Sequence, residues 1–222
     1  NHKYLKESES DKKAVIVVTA NRGLAGGYNS NITRMIIDEG FTKENTVVYA
    51  VGKKGRELLE RKGYEIKADY SEAINEPIYK DAKEICDDVL SAFADGEVGE
   101  IYLAYTVFKN TVVHEPQLIR LLPVEADDAA HETDGSEALM TYEPSEEEAL
   151  DMIIPKYVCS LVYGALIESV ASENGARMQA MDSATSNAEE MISTLSLKYN
   201  RARQASITQE LTEIIAGANA IE

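Results

Sequence analysis

The sequence contains few of the residues from which most metal and catalytic sites are built. It has two cysteines, Cys86 and Cys159, and three histidines, His2, His114 and His131. A disulfide framework or a zinc site needs more thiols or histidines at ligand spacing. The scattered histidines suggest no Ser-His-Asp or Cys-His set, although spacing alone leaves open a triad assembled across the sequence. We predict no metal and no cofactor, and interpret the cysteines as buried free thiols in a reducing compartment.

Positive charge is also scarce. The chain has 22 Lys and Arg against 39 Asp and Glu, a net charge of −17, which argues against nucleic acid or anionic lipid as a direct partner. Eleven acidic residues and no Lys or Arg lie between Glu125 and Asp151. Because this segment lacks the pattern of a calcium-binding loop, we interpret most of it as a solvated acidic loop.

Long apolar runs and targeting signals are lacking as well. We expect that no apolar stretch reaches the length of a membrane span, and the residues Asn1–Tyr4 do not have the shape of a signal peptide. The expectation is a soluble, intracellular protein. Since the first residue is Asn1 and not Met, the sequence also suggests a fragment.

Proline is rare in the last third of the chain. Between Glu146 and Ala216 the only proline is Pro155, and a proline near the start of a helix is tolerated best. The pattern predicts one helix of roughly 70 residues, which would be about 100 Å long. We therefore divide the chain into an α/β head over residues 1–145 and a long helical shaft over residues 146–222.

The head alternates strand and helix signals, beginning with the β-branched run Ala14–Thr19. Such alternation predicts an α/β fold, a Rossmann-like mixed or parallel sheet with flanking helices. Pro116 places its strand near an edge. Further strands are predicted at Thr46–Val51, from Tyr64, at Glu100–Phe108, at Val112–Leu122 and, as an option, within Gly135–Glu143. Helices are predicted after a cap at Asn29 or Ser30, at Lys53–Lys62 with Gly63 as its stop, and at Ile78–Phe93.

A stripe of residues spaced alternately three and four apart runs along the predicted shaft. This is the period of a two-stranded coiled coil. A single helix cannot bury such a stripe, and the rest of the chain has no second helix of that length. The sequence therefore predicts half of an antiparallel coiled coil, with the facing helix supplied from outside these residues. The stripe consists of Met178, Met181, Thr185, Ala188, Ile192, Leu195, Tyr199, Ala202 and Ser206.

The glycine loop Gly23–Gly27 follows a predicted strand and precedes a helix, where an α/β protein can hold a phosphate. It lacks the Gly-Lys-Ser/Thr ending of a P-loop and the Gly-x-Gly-x-x-Gly dinucleotide pattern. A tight turn is the alternative. The loop leaves open a small α/β nucleotide-binding enzyme with a helical dimerisation tail. A generic coiled-coil scaffold is a third and weaker interpretation.

Three sequence blocks resemble the γ subunit of F-type ATP synthases over the whole chain. They are Asn21–Asn29, Ala176–Ala188 and Asn200–Glu210. The family typically has Asp where this chain has Asn21. The outward positions of the third block carry Arg, Gln, Ser and Thr, hydrogen-bonding groups suited to a partner that is held and released. An ordinary polar helix face would look the same.

The resemblance implies a non-catalytic rotor in the central stalk of the F1 sector of proton-transporting ATP synthase, at the cytoplasmic face of the bacterial plasma membrane. Such a rotor couples rotation of the membrane c-ring to conformational change at the catalytic sites on the β subunits. Its implied partners are the ring of three α and three β subunits, the ε subunit, the membrane c-ring and a missing N-terminal helix of the same subunit. It implies rotor–stator contacts at Arg177, Arg203, Gln204 and Thr208, and c-ring contacts of the foot at Tyr142 and Glu143.

Overall fold

The structure, a computed structural model, describes residues 4–5, 10–124 and 145–221. A five-stranded sheet has the order β3-β2-β1-β4-β5. The first four strands are parallel and β5 runs antiparallel to β4 at the edge, so the predicted mixed α/β sheet is confirmed. The elements are β1 (Lys13–Val18), α1 (Tyr28–Asp38), β2 (Thr46–Val51), α2 (Lys53–Arg61), β3 (Glu65–Asp69), a 3-10 turn (Ser71–Ile74), α3 (Tyr79–Ala94), β4 (Glu100–Phe108), β5 (His114–Leu122) and α4 (Glu146–Asn219).

The central strand β1 is buried on both faces, as its unbroken apolar run predicts. Its even-numbered side chains, such as Ile16, face α3 and the first part of α4, whereas Val15 and Val17 face α1 and α2. The sheet therefore lies between two helical layers. Pro116 lies in the edge strand β5, as predicted.

Helix α4 begins at the predicted residue and continues without interruption to Asn219, with Pro155 inside it. Its first part packs on the sheet through Ile154, Val158, Val162 and Leu166, all buried. Compactness divides the chain into residues Asn1–Gln179 and Ala180–Glu222. This division lies within α4, whereas the predicted head ends where the helix begins.

The expectation that no apolar stretch reaches the length of a membrane span is wrong for α4. The helix contains an 18-residue window that is long and apolar enough to cross a membrane by length and composition. A core helix of a soluble protein passes the same test. Because 33% of the window is buried inside the protein, this apolar character is used in part to cover the sheet.

The predicted cap of α1 is also wrong. The helix begins after Gly27, with no side-chain cap. The Asn29 side chain instead accepts a hydrogen bond from the Ala20 backbone N–H at 2.8 Å, and the Ser30 hydroxyl donates to the Gly27 carbonyl. Both groups fold back onto the preceding loop, so neither is free to cap the helix. The optional strand at Gly135–Glu143 lies outside the described residues.

Candidate functional site

The far part of α4 has no covered face. Every described residue from Met181 to Ile221 is exposed. The large apolar members of the stripe are among them, with Leu195 59% and Tyr199 68% exposed. A helix of this length that is exposed all round is not stabilised by a core, and its apolar side chains form a surface suited to a partner helix.

The stripe changes phase near Ser206. Beyond it the exposed apolar residues include Ile207 and Leu211. Ile207 lies one position after Ser206 and eight residues, or twice four, after Tyr199, and Leu211 lies four residues further on. Successive spacings of four residues locally unwind a left-handed coiled coil. The change falls within the third sequence block, among residues for which the resemblance implies contacts.

Three of the predicted contact residues lie close together on this exposed segment. Arg203, Gln204 and Thr208 are all exposed on α4. The Thr208 hydroxyl donates to the Gln204 carbonyl at 2.8 Å, so it is satisfied within the helix. The Arg203 guanidinium and the Gln204 amide face solvent, and both groups can make directional hydrogen bonds to a partner.

The fourth predicted contact residue, Arg177, has a different environment. Its guanidinium lies 2.6 Å from the Glu173 carboxylate, and the two side chains are 20% and 13% exposed. Both residues line an open groove of about 610 Å³ beside Asn21 and Arg22. The pair uses one of the five guanidinium donors, so further donors remain for a partner.

At the carboxyl ends of β1 and β4 the strand order reverses, and open α/β sheets commonly bind ligands in this crevice. Here α4 fills it. The Tyr28 hydroxyl donates to the Ser169 carbonyl at 3.0 Å, and the Ser172 hydroxyl donates to the Thr106 carbonyl at 3.1 Å. Burial raises the pKa of the Tyr28 hydroxyl, so the group stays neutral. Sequence reasoning missed these contacts.

The glycine loop packs against the same helix. Ala20, Ala25 and Tyr28 form a small buried cluster on which Ala176 packs. The neighbouring groove is lined by three glutamates, Glu72, Glu76 and Glu173, beside its two arginines, a mixture of charge that does not favour a phosphate. This arrangement favours the tight-turn interpretation over a nucleotide site.

The two cysteines are free and buried, as predicted. Although far apart in sequence, Cys86 on α3 and Cys159 on α4 are neighbours in space, and burial together with the Cys159 thiol raises the pKa of Cys86. The described residues contain no group of His, Cys, Asp and Glu suited to a metal ion. Tyr142 and Glu143, predicted at the foot, lie outside the described residues.

The sequence of this chain is similar to known proteins along its whole length. A family model described as ATP synthase matches residues 1–221. The ATP synthase gamma chain of Lachnoclostridium phytofermentans is 66% identical over 227 residues, covering 100% of this chain and 78% of the relative. The gamma chain of Acetobacterium woodii, named as sodium ion specific, is 42% identical and covers 98% of this chain and 78% of that relative.

Solved structures share the fold. The match to a Euglena gracilis mitochondrial ATP synthase structure has a TM-score of 0.70 at 20% identity, covering 99% of this chain and 78% of the other. A Tetrahymena thermophila structure of the central stalk and c-ring gives 0.62 at 24% identity, covering 83% of each chain. With a family model along the chain and relatives that share two fifths to two thirds of its residues, the protein belongs to the ATP synthase gamma chain family.

Proposed function

We propose that this chain is the central-stalk rotor subunit of the F1 sector of an ion-transporting ATP synthase. In this role it couples rotation of the membrane c-ring to conformational change at catalytic sites on the β subunits. Residues 1–145 form the head, or foot, and residues 146–222 the shaft. The observation that carries the proposal is the exposed far part of α4, whose apolar stripe has no cover in the described chain.

The stripe takes a second helix packed antiparallel, supplied by further sequence of the same subunit. The relatives are long enough to contain one, since this chain covers 78% of the Lachnoclostridium protein. Two paired helices resist twisting and bending better than one, and a two-stranded coiled coil matches the spacing of the stripe. The pair passes through the ring of three α and three β subunits. The head contacts the ε subunit and the c-ring, with Tyr142 and Glu143 at the foot.

The chain makes and breaks no covalent bond in this mechanism, and no residue or cofactor of its own is catalytic. An asymmetric shaft presents a different side to each β subunit. Differences in contact free energy then shift the population of conformations at each catalytic site. The complex lies at the cytoplasmic face of the bacterial plasma membrane, with this subunit peripheral to it.

The contacts with the ring are made by Arg177, Arg203, Gln204 and Thr208. Arginine offers charge-assisted bonds to carboxylates and carbonyls of the ring. The Gln204 amide both donates and accepts, so it can exchange partners as the shaft turns. Arg177 makes its contact while paired with Glu173, an arrangement that orients the guanidinium beforehand.

The test is ATP-driven ion pumping by the complete complex reconstituted in vesicles, with the full-length subunit. We expect Gln204→Ala and Arg203→Ala to lower the ions pumped per ATP hydrolysed without changing the fold, since both side chains are exposed. Gln209→Ala is the matched control for Gln204→Ala, because it removes the same side chain five positions along α4, about 140° around the helix from Gln204. Wild-type coupling in both contact variants would refute the contact assignment.

A calorimetric titration separates the rotor from the nucleotide-binding alternative. We expect ATP or NAD added to the isolated chain to give no binding heat, because α4 fills the crevice beside the glycine loop. Tight binding that is lost when the loop is altered would favour the enzyme instead.

A further inference from the structure

Four neighbouring residues on one side of α4, all of them small, meet the strand ends of the sheet. They are Ser169, Ser172, Gly175 and Ala176. Each contacts a different part of the α/β unit: α1, β4, the β4–β5 hairpin and the glycine loop. Small side chains let the helix backbone approach these elements closely. We call this set of contacts the helix seat.

The contact at Gly175 is the closest. A Cβ on Gly175 would lie 2.8 Å from Cε1 and 3.0 Å from Nε2 of the His114 ring, so only glycine allows the ring to rest on the helix backbone. The Phe108 ring stacks on the His114 ring, and the centroids of the two rings are 6.1 Å apart. Phe108 and His114 are paired residues at the end of the hairpin, so the hairpin presents both rings to the helix together.

The His114 ring is held by shape. Its two ring nitrogens are buried and have no hydrogen-bond partner among the described residues. Buried polar atoms are normally paired, so hydrogen bonding does not explain the position of the ring. Contact with Gly175 and Phe108 does.

The seat differs from the rest of the packed part of α4. Nearer its start the helix lies on the sheet through aliphatic side chains such as Val158, Val162 and Leu166. Apolar burial is non-directional, so such a surface fixes the rotation of the helix less sharply than a hydrogen bond with defined geometry does. The two buried hydrogen bonds of the seat have fixed donors and acceptors, and they are satisfied at one rotation and one height of the helix.

We propose that the helix seat is the torque lock of the rotor: it fixes the rotation of α4 relative to the sheet, so that torque applied to the head reaches the shaft. The inference rests on the proposed rotor function and assigns to Tyr28, Thr106, His114, Ser172 and Gly175 a positioning role. We assign none of these residues a contact with the α and β subunits. They act by preventing the helix from turning or sliding in the head.

The experiment removes the directional bonds and keeps the packing. In the full-length subunit, Tyr28→Phe combined with Ser172→Ala deletes both hydroxyls. The matched control is Tyr64→Phe combined with Ser160→Ala. The Tyr64 hydroxyl donates to the Phe41 carbonyl inside the α/β unit, and the Ser160 hydroxyl donates to Lys156 within α4. The control therefore loses one hydroxyl of each kind without touching the seat.

Two readouts are made on each protein. In the reconstituted complex we expect the ions pumped per ATP hydrolysed to fall about twofold or more in the seat variant and to stay at the wild-type value in the control. By hydrogen exchange on the full-length subunit, amides around 169–176 should exchange about fivefold faster per hydroxyl removed, which corresponds to a net hydrogen bond of ordinary size. The control should leave that segment unchanged.

Equal behaviour of the two double variants, or wild-type pumping by the seat variant, would overturn the torque lock. Gly175→Ala provides a second and stronger perturbation, because its Cβ forces the His114 ring or the helix to move. Wild-type pumping by a folded Gly175→Ala complex would also count against the proposal. A wild-type complex that hydrolyses ATP but pumps nothing would overturn the rotor function itself, and this outcome is visible before any variant is made.

Discussion

The near and far parts of α4 share one backbone and have opposite surroundings. From Ile154 to Ala176 the helix buries one side against the sheet and its neighbours. From Met181 onward every described residue is exposed. The same α-helical hydrogen bonding therefore has two sources of stability: tertiary packing in the near part, and in the far part a partner that the described chain does not supply.

The two parts also differ in composition in a way that follows from this. The near part places Val158, Val162 and Leu166 at spacings of four, a continuous aliphatic face that suits a sheet. The far part mixes Met, Leu and Tyr with Thr, Ala and Ser along its stripe. Small and polar members lower the apolar area of the stripe. Pairing of the stripe with a second helix therefore buries less apolar area per residue, and is stabilised less, than packing of an aliphatic face on a sheet.

The largest expected difference between the two parts is in local opening. In the isolated chain, amides at Val158–Leu166 should be protected from hydrogen exchange about 10³-fold or more above amides at Leu195–Ile207, because the near part opens only when it leaves the core. Hydrogen–deuterium exchange with peptide-level mass spectrometry measures this.

Self-association could hide that difference, so the exchange is repeated across a range of concentrations with light scattering. We expect the far part to fray when the chain is monomeric and to gain protection only as the chain associates. A monomer that is protected along Met178–Ser206 would contradict the interpretation of the stripe as an uncovered seam.

A pair of matched substitutions gives the next largest effect. Leu166→Ala removes a fully buried side chain and should lower the free energy of unfolding by about 2–5 kcal/mol. Leu195→Ala removes a side chain that is 59% exposed and should change it by no more than about 0.5 kcal/mol. Urea unfolding followed by the near-ultraviolet circular dichroism of the tyrosines compares them. Equal effects would mean that the far part is also packed.

The near part could be predicted only in outline from sequence. The consecutive apolar residues of β1 and the absence of proline after Pro155 are local signals, and the strand and the helix they predict are both present. Gly63 ends α2 with a φ of 88°, as its type predicts. The burial of Val158 and Val162 against the sheet was not predicted.

The helix seat had no such signal. Ser172 and Thr106 are 66 residues apart, and each is an unremarkable residue in its own element. The contact between His114 and Gly175 depends on the register of the hairpin and the path of α4 together. Contacts that join distant elements through single polar atoms cannot be read from periodicity, because periodicity reports only which side of an element is apolar. The same holds for the closeness of the free thiols of Cys86 and Cys159.

Alkaline pH should weaken the near part and spare the far part. Burial raises the pKa of Tyr28, and burial together with Cys159 raises that of Cys86. The unfolded chain releases these protons first, near pH 8.5 for a thiol and 10 for a phenol. The free energy of unfolding should therefore be constant below about pH 8 and fall above it. The slope approaches about 1.4 kcal/mol per pH unit for each group that is ionised in the unfolded chain and still protonated in the folded protein.

Urea midpoints between pH 7 and pH 11 measure this dependence. Tyr28→Phe should flatten the slope above pH 10, whereas Tyr199→Phe, which changes an exposed tyrosine of the far part, should leave it unaltered. An unfolding free energy that rises with pH in this range would contradict the assigned direction of both pKa values.

The smallest expected effect lies where the near part ends. Glu173→Gln removes the carboxylate that pairs with Arg177, at side-chain exposures of 13% and 20%, and should destabilise the helix locally by about 0.5 kcal/mol. Glu213→Gln, in the exposed part where Glu213 accepts from Gln209, should cost less, because Glu213 has no cationic partner in that bond and the amide oxygen of a glutamine can still accept from Gln209. Amide exchange around 173–177 should rise about twofold in the first variant, and added salt should reduce the difference between wild type and variant because it screens the pair. If Glu173→Gln and Glu213→Gln change exchange equally and salt has no effect, the near part has already ended before Glu173, and the pair contributes no more than any surface contact of the far helix.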